Sequence, residues 1–146
     1  NLDEPTRFYI EEMNRDNLCL VNIESVAAMD KLEELAGVQD VDALLVGPHD
    51  LSISMDMPED YKNSKFRDAM QRIIDVARGA GIGVGSHFSF GTEEAQLWAE
   101  MGANLIIHST DYFLVEQTLR GDLQKLRGAL GDDTGDDEES GSGVVV

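Results

Sequence analysis

The sequence predicts an α/β fold built on a parallel sheet, and three observations carry that expectation. Short apolar runs alternate along the chain with segments of helical periodicity. The runs are nearly continuous in Leu, Ile and Val, as in strands covered on both faces, rather than alternating apolar and polar. Each run also ends in a polar residue or a glycine turn and is followed by a helical segment, the βα order that parallel strands need.

Residues 1–17 are polar and punctuated by Pro5, with Phe8, Tyr9, Ile10 and Met13 on a partial helical face. Leu18 to Ile23 is the first expected strand, ending at Glu24-Ser25; Cys19, the only cysteine, is expected in the core and has no partner for an internal disulfide. A helix over Val26 to Leu35 stops at Gly37. Ala43 to Val46 is the second strand, followed by a loop carrying Ser52, Ser54, Met55, Met57 and Pro58. Ser64 is the expected N-cap of a helix with apolar positions Phe66, Ala69, Met70, Ile73, Ile74 and Ala77. Ile82 to Ser86 is the third strand and leads into His87. Thr92 is expected to cap a helix through Trp98 and Met101, and Gly102 to stop it. Leu105 to Ile107 is the fourth strand, running into His108-Ser109, and Val115, Leu119, Leu126 and Leu130 mark a last helix. Four strands, each followed by a helix, fit a small doubly wound sheet or four of the eight units of a (β/α)8 barrel.

At 146 residues with 42% apolar content, the chain is the size of one domain with a real core. That domain is expected over residues 1–130, and residues 131–146, with six acids among Gly, Ser and Thr, as a solvated acidic tail. A net charge of −18 argues against nucleic acid or an anionic membrane as partner. Acids outnumber bases even outside the tail, which suggests a high-salt cytoplasm; the plainer alternative is an acidic mesophilic protein. No apolar run is long enough to span a bilayer and none resembles a signal peptide, so a cytoplasmic setting is expected. Val144-Val145-Val146 suggests no role.

The polar residues gather at the strand ends. The first strand ends at Asn22 and Glu24, the second at His49 and Asp50, the third at His87, the fourth at His108, Ser109 and Asp111. In a parallel sheet or barrel these ends share one face, where such folds keep their chemistry. Glu24 and Asp50 are hard oxygen donors on neighbouring strand ends and suit a divalent ion with open positions for water and substrate. The structural alternative is that each caps a helix or turn. His49, His87 and His108 are candidate ligands, bases or simply solvated polar residues. Gly47-Pro48 leaves the backbone N–H groups of His49 and Asp50 available to a carboxylate. Trp98 and the methionines sit at helical spacing and are expected in the core. The Gly79, Gly81, Gly83, Gly85 series enters a strand and opens no helix, so it fails as a dinucleotide fingerprint.

Two stretches carry a resemblance: Val21-Asn22-Ile23-Glu24-Ser25 and Val41-Asp42-Ala43-Leu44-Leu45-Val46-Gly47-Pro48-His49-Asp50-Leu51-Ser52, with Gly81 to Gly85, Met101-Gly102-Ala103 and Ser109-Thr110-Asp111 in support. They resemble the metal-dependent class II aldolases of 2-oxo acids, the HpcH/HpaI aldolase family, from about Pro5 to about Leu130. The resemblance implies a (β/α)8 TIM barrel, often a homo-hexamer, and cleavage of 4-hydroxy-2-oxo acids to pyruvate and an aldehyde through a stabilised pyruvate enolate. It implies Glu24 and Asp50 as ligands of Mg2+, Mn2+ or Co2+. It further implies Gly47, Pro48, His49 and Asp50 around the pyruvate carboxylate, Asn22 facing the substrate, and Asn22, His49 and His87 as catalytic candidates.

Two departures stand out. The family commonly has Gln where this chain has the shorter Asn22. Its first four strands, which supply an arginine and a proton-transfer histidine, have no counterpart here. The strands counted one to four are then five to eight, the C-terminal half of the barrel, and the start at Asn1 is consistent with a partial chain. Its first and last strands are expected as open edges. The expected function is a carbon–carbon lyase; the alternatives are a citryl- or malyl-thioester lyase of the same superfamily, or a non-catalytic metal-binding half-barrel that self-associates.

Overall fold

The computed structural model describes residues 2–89 and 92–132, which fall in two compact units, one ending at His108 and one beginning at Ser109. The first holds a four-stranded, fully parallel sheet: β1 (Leu20–Ile23), β2 (Ala43–Val46), β3 (Gly83–Phe88) and β4 (Leu105–His108). The strands lie in chain order, β1-β2-β3-β4. A doubly wound sheet reverses direction at a switch point, whereas a barrel segment does not. The sequential order therefore selects the barrel segment from the two architectures that the alternation allows.

The core lies on one face of this sheet. Ile23, Leu44, Val46, Val84 and Phe88 point to it and pack with Met29, Leu32, Phe66, Met70, Ile73, Ile74 and Trp98. Helix α5 (Ser64–Gly79) seats it, burying Phe66, Ala69, Met70, Ile73, Ile74 and Ala77, the stripe that the 3.6-residue period predicts. Each fully buried Leu, Ile or Phe contributes about 1.5–3 kcal/mol by leaving water. Edge-to-face ring pairs extend the core from Tyr61 through Phe88 to Trp98. Trp98 is in the core as its spacing predicts, although its Nε1 and the buried Ser86 Oγ lack a hydrogen-bond partner among the described residues.

The opposite face is more open. It carries Leu20, Asn22, Leu45, Gly85, His87, Leu105 and Ile107, which the register sets side by side. β1 and β4 are its two edges, as expected.

Several local features differ from the sequence reading. Cys19 is exposed rather than in the core, because β1 begins after it; its N–H donates to Asp42 Oδ2 at 2.7 Å. The helix expected over Val26 to Leu35 is two short ones, α2 (Val26–Met29) and α3 (Leu32–Ala36), broken at Asp30-Lys31. The expected loop after β2 begins as a helix, α4 (Pro48–Ser54), because Pro at its start supplies helical φ and lacks only an N–H that needs no partner there. Asn63, not Ser64, caps α5, through Oδ1 to the Lys65 N–H. Thr92 precedes α6 (Glu93–Met101) but makes no side-chain cap bond. α1 (Glu4–Arg15) is capped by Asp3, whose carboxyl is held below its usual range by its hydrogen bonds to Thr6.

The second unit is α7 (Asp111–Leu130), capped by Thr110 Oγ1 accepting from the Phe113 N–H and closed by Gly131 at a φ of +75°. The acidic run expected as a tail lies, from Asp133 on, outside the described residues.

Candidate metal and substrate site

The site begins where β1 ends. Ser25, just beyond, turns its hydroxyl to the Ala28 N–H at 3.2 Å and caps α2. That relieves Glu24 of the capping role that was its structural alternative. The half-buried Glu24 carboxylate instead accepts a hydrogen bond from Asn22 Nδ2, 2.9 Å from Oε1. Residues two apart on a strand share a face. Asn22 therefore directs its amide at Glu24, and its shorter side chain reaches the metal-ligand candidate beside it.

The second strand brings its turn directly over this carboxylate. The Gly47 N–H donates to the Ile23 carbonyl at 3.3 Å, carrying the β1–β2 pairing one step further. A β-carbon at Gly47 would lie 2.7 Å from both Cγ and Oε1 of Glu24. Glycine is needed here for space, since its φ of −91° is open to other residues. Pro48 then starts α4, His49 follows, and Asp50 stands in the first turn, where the helix dipole favours a carboxylate. Asp50 is exposed, and its carboxylate makes no hydrogen bond among the described residues. The Val26 N–H donates to Ser54 Oγ at 3.0 Å, so the segments bearing the two carboxylates are tied together at their far ends as well.

His49 is half-buried beside Asp50, with Nδ1 3.3 Å from Glu59 Oε1. His87 is exposed on the same sheet face as Asn22. His108 is not with them: it pairs with Phe88 and so takes the opposite face. Asp111 opens α7 in the second unit.

Two carboxylate oxygen donors, one pre-oriented by an amide and the other uncommitted, fit a hard divalent ion that completes its shell with water and substrate. No group of three or more His, Cys, Asp or Glu side chains stands ready to hold a metal among the described residues. Glu24 and Asp50, the pair expected from the strand-end pattern, stay candidates for ligands. Sequence reasoning missed Asn22 as the support of Glu24, though its spacing of two on a strand was a usable signal. It also missed Glu59, whose Oε1 lies 3.3 Å from His49 Nδ1 and whose backbone is left-handed, at a φ of 59°.

Comparison with known proteins identifies the family and the fold. The profile of the family HpcH/HpaI aldolase/citrate lyase matches residues 4–117. A hydroxypyruvate/pyruvate aldolase from Paraburkholderia phytofirmans is 31% identical over 121 residues, covering 83% of this chain and 46% of that protein. A 2-keto-3-deoxy-L-rhamnonate aldolase from Escherichia coli is 31% identical over 112 residues, covering 76% and 41%. This chain thus spans just under half the length of these relatives. Among solved structures, an HpcH/HpaI aldolase/citrate lyase family protein from Burkholderia cenocepacia superposes with a TM-score of 0.74 at 31% identity, over 84% of this chain and 47% of that one. The citrate synthase SbnG shares the fold at a TM-score of 0.74 and 21% identity. A sequential parallel sheet, two strand-end carboxylates and a family match over most of the chain lead to one conclusion: this protein belongs to the HpcH/HpaI aldolase/citrate lyase family.

Proposed function

We propose that this chain carries the carboxylate half of the active site of a divalent-metal-dependent aldolase, which cleaves a 4-hydroxy-2-oxo acid to pyruvate and an aldehyde and runs the reverse condensation. The observation that carries this reading is the meeting of β1 and β2 at Gly47, where Glu24 packs under the turn that delivers Asp50. Glu24 and Asp50 would hold a divalent ion, which would supply Lewis-acid polarisation of the substrate's 2-oxo group.

The chain's own residues do the rest of the binding. Asn22 keeps the Glu24 carboxylate from rotating away. Gly47 leaves the space that carboxylate occupies. The first turn of a helix leaves its N–H groups without intrahelical partners, and those of His49 and Asp50 are available to the substrate carboxylate. In the cleavage the 4-hydroxyl gives up its proton and the C3–C4 bond breaks. Its electron pair forms the enolate of pyruvate, the aldehyde leaves, and C3 takes a proton. Proton handling is assigned to His49, just past β2, and His87, near the end of β3.

The test is pyruvate release from a 4-hydroxy-2-oxo acid by the protein that contains this chain. Activity lost on chelation, restored by Mg2+ or Mn2+, and abolished by Glu24→Ala or Asp50→Ala with the fold intact supports the reading. Turnover that survives chelation overturns it. The citrate lyase side of the family favours a second reading, cleavage of a citryl or malyl thioester. Activity on acyl-CoA substrates with none on free 2-oxo acids selects it. Metal binding without either activity selects a non-catalytic half-barrel.

A further inference from the structure

Glu24 is tightly constrained where β1 ends, and the constraint falls on one of its two oxygens. The Asn22 amide donates to Oε1 at 2.9 Å. Gly47, from the neighbouring strand, closes on the same atom: a β-carbon there would meet Oε1 and Cγ at 2.7 Å each and Cδ at 3.1 Å. Backbone holds this approach, because the Gly47 N–H bonds to the Ile23 carbonyl at 3.3 Å and keeps the turn beside Glu24. Oε1 is therefore enclosed by an N–H donor on its own strand and a glycine on the next. Oε2 makes no hydrogen bond among the described residues. The two oxygens of one carboxylate are thus unlike.

Asn22 is exposed, and a hydrogen bond that water can replace adds little to the fold. What the bond does is stop the carboxylate from turning. A carboxylate free to turn offers an ion one oxygen or both, whereas one gripped at Oε1 offers Oε2. The amide hydrogens beside Oε1 carry partial positive charge and repel a cation that comes to that oxygen as well. This distinction matters differently to different ions. Mg2+ demands an octahedral shell, keeps several waters and takes few carboxylates; the larger Ca2+ collects about six to eight oxygens and readily uses both oxygens of one carboxylate. We propose that Asn22 is a positioning residue that restricts Glu24 to a single oxygen toward a divalent ion, so that these strand ends prefer cations of the size of Mg2+ and discriminate against Ca2+. The inference rests on the metal-dependent reading above and deepens it, by naming the ion the site keeps out and the residue that does so.

The preference is read without turnover, by the paramagnetic resonance of free Mn2+ as Mg2+ or Ca2+ displaces it from the protein that contains this chain. In the parent, Mg2+ is expected to displace Mn2+ at lower concentration than Ca2+ does. Two variants remove the amide: Asn22→Ala, and Asn22→Leu, which keeps most of the volume. Both are expected to melt close to the parent, and in both the ratio of Mg2+ to Ca2+ affinity should shift toward Ca2+ by about tenfold, the usual size of an effect from just behind a metal ligand. Ca2+ displacing Mn2+ as readily as Mg2+ in the parent, or a ratio unchanged in both variants, overturns the role of Asn22 and leaves the metal-dependent reading standing. A ratio that moves in Asn22→Leu alone is an effect of bulk and overturns that role too. A parent that binds no Mn2+ overturns the role and the metal-dependent reading together.

Discussion

Glu24 and Gly47 occupy one space: the side chain of the first stands where a β-carbon of the second would be, 2.7 Å away at Oε1. The backbone at Gly47 tolerates alanine, and the obstructing atoms, Cγ, Cδ and Oε1 of Glu24, belong to one flexible side chain. Gly47→Ala should therefore fold with a melting temperature close to that of the parent, yet swing the carboxylate aside. Calorimetric Mn2+ titration should show affinity reduced about 10–100-fold, as for other disturbances just behind a metal ligand. Unchanged Mn2+ affinity would remove Glu24 from the ligand set.

Asn22 offers a companion test. Its amide donates to the same Glu24 oxygen at 2.9 Å. Asn22→Ala leaves that oxygen unsupported and should weaken Mn2+ binding about tenfold, with little change in melting temperature because Asn22 is exposed. A large loss of stability instead would make it a structural residue.

Gly85 contrasts with Gly47. A β-carbon there would lie 1.7 Å from the Leu105 carbonyl oxygen, which is backbone of the paired strand and has nowhere to go. Gly85→Ala should destabilise the first unit by more than about 3 kcal/mol, among the larger single-residue effects. Gly121 and Gly128 in α7 meet nothing within 4 Å. Alanine at either should stabilise that helix by about 0.5–1 kcal/mol, seen as a rise in helical circular dichroism.

Tyr61 supplies a pH dependence. Burial first, then the Glu59 and Glu94 carboxylates, push its hydroxyl up from 10.0 to about 12. The folded state thus favours the neutral phenol. Its contribution to stability is complete below pH 10.0 and is lost as pH rises through about 12. Absorbance titration of the phenolates should show a late component near pH 12 that disappears in Tyr61→Phe.

The fold was legible where burial dictates residue type. The six buried positions of α5 and the buried runs of β2 and β3 can be read directly, because a core excludes water; β1 and β4 are apolar in sequence yet, as sheet edges, mostly open. That the polar strand ends would gather was legible for a related reason: parallel strands place their C-terminal ends together whatever the loops do. What escaped was decided by the backbone. Nothing in the local sequence marks Asp56 and Glu59 as left-handed, and so nothing marked Glu59 as a neighbour of His49. Cys19 misled because an apolar run can begin before its strand does. His87 and His108 both follow apolar runs, but one residue of register sends them to opposite faces.

The chain-order sheet also sets how the first unit assembles in time. Each strand pairs only with its predecessor and successor, so no contact waits on a strand from the far end of the unit. The pairings close loops from Leu20 to Ala43, from Ala43 to Gly83 and from Gly85 to Leu105. The middle loop is nearly twice as long as the others, which adds only about 0.6 kcal/mol of closure entropy. That increment falls on the step joining β2 to β3, the two strands with the most buried residues. The amides of β2 and β3 are therefore expected to be the last of the sheet to exchange with solvent, which hydrogen-exchange measurement checks.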